Sequence, residues 1–354
     1  MNIPSKRKVA TLFGDGHIRL TEQEVPPLKP GAVLVEVHAS LVSPGSEFRG
    51  GWKALADKRQ KPDPDAKPLP FGYANAGLVM AVGDGVDRFN AGDRVCCIGG
   101  GYAMHSNYAV VPHNLCVPLP DAVTFAQGAY GHLAATGMHA LRRGRPEYGD
   151  LVAIAGLGLV GHLTALLYQS AGCFVIGWDA IDLRVDLARQ AGFDDVVNVR
   201  QDDAVEVTRR FTRAAGLDGA VIAFGGDGTD AFNKLVFSLK QAPDGPRTGW
   251  VVIVGGTQVQ YNGATFNLDI RRSARPGPGY HDEPWEYGPD YPAVYMRWTT
   301  RTNLELCMRL IAEGRLKVDH LTTHTIALDQ VDEQITRIID RPDDILGVVF
   351  ECQR

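Results

Sequence analysis

The 354-residue sequence lacks any extended basic block: 36 Lys and Arg stand against 41 Asp and Glu, a net charge of −5. That balance argues against nucleic acid or an anionic membrane surface as a partner. It also lacks an apolar run approaching the roughly 18 residues a membrane span needs. Its opening, with Lys6, Arg7 and Lys8, lacks the apolar stretch of a signal peptide. A cytoplasmic location is the expectation that follows. The six cysteines (Cys96, Cys97, Cys116, Cys173, Cys307 and Cys352) form no C-x-x-C pair. They are expected as buried small hydrophobes rather than as metal or redox groups. No internal repeat is present. What remains is an ordinary globular composition, 45% hydrophobic and 22% charged, at a length that suits two domains.

The first third of the chain reads as β structure. Ala32–His38, Ala76–Gly83, Asp93–Ile98 and Tyr108–Val111 are short runs rich in β-branched residues, punctuated by Gly, Pro and Asp. Many short strands with frequent turns suggest a small barrel-like domain. Lys58–Pro70, rich in Lys, Asp and Pro, reads as an exposed loop. From Phe125 the pattern changes. Gln127–Arg143 reads as one helix, and strands then alternate with helices as far as Trp250–Val254. That alternation predicts a parallel sheet covered on both faces. Arg271–Pro292 is rich in Gly, Pro, Tyr and Trp and reads as a long irregular segment. The helix Arg301–Glu313 and further strand and helix runs close the chain.

A glycine-rich motif stands inside the alternating region. Gly156-Leu157-Gly158-Leu159-Val160-Gly161 follows an apolar strand and opens a helix. The first glycine permits the tight turn, the second lets backbone approach a pyrophosphate, and the third lets the helix pack on the strand. The helix N-terminus then offers unpaired N–H groups and a positive dipole end to phosphate. Asp179 lies 18 residues after Gly161, where a carboxylate accepts ribose hydroxyls. It favours NAD over NADP, because it would repel a 2′-phosphate. Arg184 close behind reads equally as an adenine or phosphate neighbour and as a solvated helix residue. Gly225 and Gly255 each follow a strand and would let backbone come close to the nicotinamide half of a cofactor.

The order of these features resembles the medium-chain dehydrogenase/reductase superfamily, the alcohol dehydrogenase relatives, over nearly the whole chain. The resemblance rests on the β-rich start, on Gly72 to Gly83, on Gly92-Asp93-Arg94-Val95, on the nucleotide motif, and on the return to the first domain. It implies an α/β protein: a GroES-like β-barrel domain over residues 1–130 and 293–354, and a Rossmann doubly wound parallel sheet over 131–292. Ala135-Thr136-Gly137 resembles the segment beside the nicotinamide. The departures concern metal. Zinc members carry a cysteine where this chain has Val42-Ser43-Pro44-Gly45-Ser46-Glu47, and Gly-His-Glu where it has Gly72-Tyr73-Ala74. Only the third ligand position matches, at His132. Zinc needs roughly three protein ligands, so no metal is expected, and the four-cysteine structural zinc lobe is also missing. A narrower likeness, through the Ser-Pro-Gly-Ser-Glu turn and Tyr291–Thr299, is to the zinc-lacking, threonine-dehydrogenase-like branch.

Without zinc, side chains must bind the reacting oxygen and move its proton. Ser46, Glu47, Tyr73 and His132 fall where the metal and its relay would be, with His132 as the leading acid–base candidate. Each also has a plain structural reading: a turn hydroxyl, a helix-start carboxylate, a buried tyrosine, a helix-start imidazole. Arg271, Arg272, Arg275, Arg297, Tyr280, Trp285, Tyr287 and Tyr291 suit a polar substrate, with Arg297 and Tyr291 the chosen candidates. They suit a subunit interface at least as well, and the resemblance implies a homo-oligomer, dimer or tetramer. The expected function is NAD-dependent interconversion of a secondary alcohol and a ketone on a small sugar-, polyol- or cyclitol-like molecule. The alternatives are an NADPH-dependent quinone or enone reductase and a non-catalytic dinucleotide-binding protein.

Overall fold

The computed structural model describes residues 4–261 and 267–353. The chain divides into two units. One comprises Met1–Ala135 with Pro276–Arg354, the other Thr136–Arg275.

The first unit is built on a seven-stranded sheet ordered Thr322–Ala327, Gly347–Glu351, Ala32–Leu41, Ala74–Val82, Arg94–Ile98 and Cys116–Pro118, with Tyr108–Pro112 also paired to Ala32–Leu41. The pairs are antiparallel except the one joining Thr322–Ala327 to Gly347–Glu351. The central strand shows why it pairs there. Val33, Val35 and Val37 are fully buried, whereas Glu36 and His38 reach partial exposure. That is the period of two that a half-covered sheet requires. A smaller sheet joins Lys6–Leu12 to Ile18–Glu24 and to Leu69–Pro70. These N-terminal strands were not anticipated, because alternating Lys, Arg, Glu and Gln hide their apolar face.

The second unit is a six-stranded parallel sheet. Its order is Asp195–Asn198, Phe174–Asp179, Leu151–Ala155, Gly219–Ile222, Thr248–Val254, Asn267–Ser273. The chain-order sequence is thus 3-2-1-4-5-6, the doubly wound dinucleotide-binding arrangement. Alternate residues serve opposite faces. Val152, Ile154, Val221 and Val252 pack with Leu157, Ala165, Tyr168 and Phe193 on one side. Ala153, Ala155, Ile222 and Val251 pack with Trp178, Phe232 and Leu235 on the other. All six cysteines are buried. Among the described residues no helix is long and apolar enough to cross a membrane.

Several expectations need correction. Lys58–Pro70 is not all loop, since the helix Gly51–Gln60 runs into it. The segment Gln127–Arg143 is two helices, Phe125–Gly128 and Gly131–Gly144. The first is closed off by a capping box in which Thr124 and Gln127 bond each other's backbone. The irregular segment was placed too early: Arg271 and Arg272 lie on the edge strand Asn267–Ser273. Its charged sequence carries no apolar alternation to announce it. Finally, the units divide after Ala135 and Arg275 rather than at 130 and 292. Residues 276–292 belong with the first unit because its side chains hold their backbone. Asn114 donates to Trp285 O at 2.7 Å and to Gly288 O at 2.9 Å.

Candidate active site

In the first unit, the turn after strand Ala32–Leu41 leads into a single helical turn, Pro44–Glu47. Glu47 folds back, and its carboxylate accepts the Ser43 N–H at 2.9 Å. Opposite this turn, Gly72 has φ of 121°, and a Cβ there would lie 2.2 Å from His105 N. Only glycine allows the backbone around Phe71 to meet that of His105, where Phe71 O accepts the His105 N–H at 3.1 Å. That close approach brings Tyr73 and His105 to the same small volume as Glu47.

The Tyr73 hydroxyl is hydrogen-bonded to the side chains of Ser43 and Ser46. Burial and the nearby Glu47 carboxylate raise its pKa above the ordinary phenol value, despite those hydrogen bonds. Tyr73 is therefore a neutral phenol throughout the physiological range. His132 packs its ring 4.4 Å from that of Tyr73, and Tyr280 meets His132 edge-on at 5.4 Å. The Nδ1 of His132 lies 3.2 Å from the Tyr73 carbonyl oxygen. A carbonyl only accepts, so Nδ1 carries a proton, and in the neutral ring Nε2 is the basic nitrogen. Burial lowers the His132 pKa to about 4, opposed by the Tyr73 carbonyl and assisted by His281. The structure thus brings together all four residues chosen from sequence. It adds Ser43 from the same turn, Tyr280 from the segment read as a substrate or interface region, and His105 and His281, which no local motif marked.

His105 is fully buried. Its Nε2 lies 3.2 and 3.3 Å from the two carboxylate oxygens of Glu47, and its Nδ1 lies 2.9 Å from Ser40 Oγ. The substrate candidates have other partners. Tyr291 donates to Asp282 and stacks on Trp285; Arg297 lies over Trp298. Arg271 donates to the Arg143 and Gly144 carbonyls, and Arg272 to that of Thr257.

The residues do not fit zinc. The positions that hold ligands in zinc relatives carry a turn without cysteine and Tyr73. Among the described residues no group of three or more His, Cys, Asp or Glu is placed to hold a metal ion.

In the second unit the glycine motif has the geometry a dinucleotide requires. Gly156 has φ of 90°, Gly158 caps the helix Leu159–Ser170, and a Cβ on Gly161 would lie 1.8 Å from Gly156 O. Leu157 and Leu159 are buried, so they offer backbone, and Val160 is partly buried. Space beside Gly158, Gly225 and Gly255 is open, as a cradle for phosphate and nicotinamide must be. His162 holds the loop, its Nδ1 donating to Leu157 O at 2.7 Å. Asp179 is 7% exposed and accepts three backbone N–H groups, that of Leu157 at 2.6 Å and those of Ala180 and Ile181, and forms an ion pair with the Arg184 guanidinium at 3.6 Å. Thr136 opens this unit, partly buried in the helix that also carries His132.

Comparison with known proteins agrees with this geometry. Residues 29–121 match the alcohol dehydrogenase GroES-like domain. Over nearly its whole length the chain is similar to alcohol dehydrogenase-like proteins. It is 26% identical to YdjJ, an uncharacterized zinc-type alcohol dehydrogenase-like protein of Escherichia coli K12, over 97% of this chain and 99% of that one. It is 25% identical to sorbitol dehydrogenase of Bacillus subtilis over 99% of both chains. In fold it matches an E. coli oxidoreductase/dehydrogenase of unknown specificity, with TM-score 0.78, 21% identity, and coverage of 99% and 100%. The GroES-like domain and the Rossmann sheet are thus both present, as the sequence resemblance implied.

Proposed function

We propose that this protein is an NAD(H)-dependent oxidoreductase that interconverts a secondary alcohol and a ketone on a polyol- or cyclitol-like substrate without zinc. The observation that carries the reading is the Tyr73 hydroxyl: a neutral phenol, hydrogen-bonded to two serines beside a buried carboxylate, at a position where zinc relatives hold metal. The relatives named sorbitol dehydrogenase support the polyol class. Residues Gly156–Gly161, Asp179 and Arg184, with Thr136, Gly225 and Gly255, would hold the cofactor, which supplies the hydride acceptor or donor when bound.

In the oxidation direction the substrate hydroxyl proton passes to the Tyr73 oxygen. In the same step Tyr73 gives its own proton to the hydroxyl of Ser43 or Ser46, which passes its own proton on toward Glu47. In reduction Tyr73 donates to the carbonyl oxygen as negative charge develops there. His132, expected as the leading acid–base group, fits a different role. A ring whose pKa has fallen to about 4 is a poor base, and it serves to hold the Tyr73 ring in place. Arg297 and Tyr291 remain candidates for substrate contact.

The test is oxidation of sorbitol by NAD+ in wild type and Tyr73→Phe, with NADH affinity measured separately by fluorescence. Tyr73→Phe should lower turnover by about 10²–10⁴-fold at unchanged NADH affinity. Elemental analysis finding about one zinc per chain, with activity lost on chelation, refutes the zinc-free reading. NADPH-linked enone reduction in place of polyol oxidation favours the quinone-reductase alternative.

A further inference from the structure

Behind the Tyr73 cluster lies a hydrogen-bonded line of which the mechanism above touches only the first member: Glu47, His105, Ser40, Cys352. The Glu47 side chain is 3% exposed and that of His105 is 0%. Ser40 is likewise fully buried, and its Oγ lies 3.6 Å from Cys352 Sγ. Phe71 and Phe350 wall the imidazole edge-on, at 4.9 and 5.1 Å. Carboxylates are rarely buried this deeply without a partner, because the anion loses its hydration. Glu47 has two partners here, the Ser43 N–H and the His105 ring.

The two distances from Nε2 to the Glu47 oxygens are nearly equal, so the ring grips the carboxylate end-on rather than through one oxygen. A carboxylate accepts, so Nε2 donates. Ser40 can donate to Nδ1 or accept from it, so the line can run with the ring neutral or protonated without losing a hydrogen bond. Burial pushes the Cys352 thiol up to about 12, so it stays a thiol and ends the line as a weak partner of Ser40. The charged and titratable groups facing Glu47 are therefore Tyr73 and His105, with His132, Tyr280 and His281 beyond Tyr73.

We propose that His105 is a positioning residue that fixes the Glu47 carboxylate beside the Tyr73 hydroxyl, with Ser40 setting the orientation of its ring. Glu47 so held is the terminal acceptor of the proton that leaves through Tyr73 and the two serines. The hydride goes to the nicotinamide and the proton ends on the carboxylate, so the oxidation balances. This inference rests on the reading of the Tyr73 cluster as the proton-handling site.

The experiment pairs kinetics with a measurement that needs no turnover. Sorbitol oxidation by NAD+ is followed from pH 6 to 10 in wild type, His105→Leu, His105→Gln and Ser40→Ala, with NADH affinity determined for each. A Gln amide can replace the Nε2 donor, whereas Leu cannot. His105→Leu should lower kcat roughly tenfold or more and change the pH profile at unchanged NADH affinity. His105→Gln should recover most of the loss, and Ser40→Ala should cost least. These effects are smaller than the ~10²–10⁴ of a group that transfers the proton itself. In parallel, NMR of histidine-labelled wild type should show a protonated His105 Nε2 whose resonance shifts in Glu47→Gln. Wild-type kinetics in His105→Leu, or an unprotonated Nε2, overturns the proposal. If wild type fails to oxidise sorbitol, the substrate reading falls and the NMR result alone decides the role of His105.

Discussion

At the scale of single residues, Asp179 behaves differently from the cofactor carboxylate its position suggests. Its two oxygens already accept three backbone N–H groups and face Arg184, so it braces the glycine loop in addition to its proposed contact with a ribose. Asp179→Ala should therefore do two things. It should narrow the preference for NAD over NADP in direct titration, and it should cost about 1–3 kcal/mol in denaturant unfolding, from N–H groups left unpaired. A variant that changes cofactor choice with no loss of stability contradicts the bracing role. His132 carries a second residue-scale prediction. Its pKa of about 4 in the folded protein lies below the ordinary 6.5, so as pH falls the unfolded chain takes the proton first. The stability it contributes is complete above about pH 6.5 and is lost between there and about pH 4. His132→Asn should flatten unfolding free energy against pH in that window, and an unchanged slope counts against it. The candidate residues could be chosen from sequence because Tyr73, Glu47 and Ser46 stand in segments that depart from the metal-and-relay pattern of the zinc members and His132 matches one ligand position in it. His105 was not legible. It lies 58 positions from Glu47, and pairing of that kind leaves no local signal.

At the scale of elements, legibility follows burial. Leu151–Ala155 was readable because it is sandwiched, with alternate residues feeding two separate cores. Lys6–Leu12, the middle strand of the small sheet, and Asn267–Ser273, an edge strand, were missed because charged residues interrupt the apolar pattern of each. The break between the helices Phe125–Gly128 and Gly131–Gly144 was also missed, since Ala-rich composition runs across it. The tightest element is the strand–loop–helix of the glycine motif. Gly161→Ala places a methyl against Gly156 O at a distance no carbon tolerates. Helix Leu159–Ser170 must then move off strand Leu151–Ala155. We expect NADH affinity to fall by tenfold or more, and stability by about 1–3 kcal/mol as for an overpacked core. Gly158→Ala meets open space; it should retain stability and lose affinity where the phosphate must approach. Equal stability loss in the two variants would contradict this account of the loop.

At the scale of the whole molecule, the two-unit architecture was plain from the change of pattern near Phe125, while the return point was not. Residues 276–292 carry no apolar period, and what ties them to the first unit is their own backbone carbonyls taken up by Asn114 and His113. Cofactor binding gives a global check. Ligand at a hundredfold over its Kd stabilises the folded state by about 2.7 kcal/mol, so NADH should raise the melting temperature, and NADPH at equal concentration should raise it less. The buried thiols allow a finer dissection. Five cysteines lie in the first unit, and Cys173 is the only one in the second. Alkylating reagents attack thiolates, and burial suppresses that form, pushing Cys173 up to about 12. Modification must therefore wait for the chain to open. Peptide-resolved alkylation thus clocks the breathing of each half separately: the lifetime of unmodified Cys173 reports on one, that of Cys96, Cys97 and Cys116 on the other. The molecule carries its own stopwatch for deciding whether its halves unfold together or in turn.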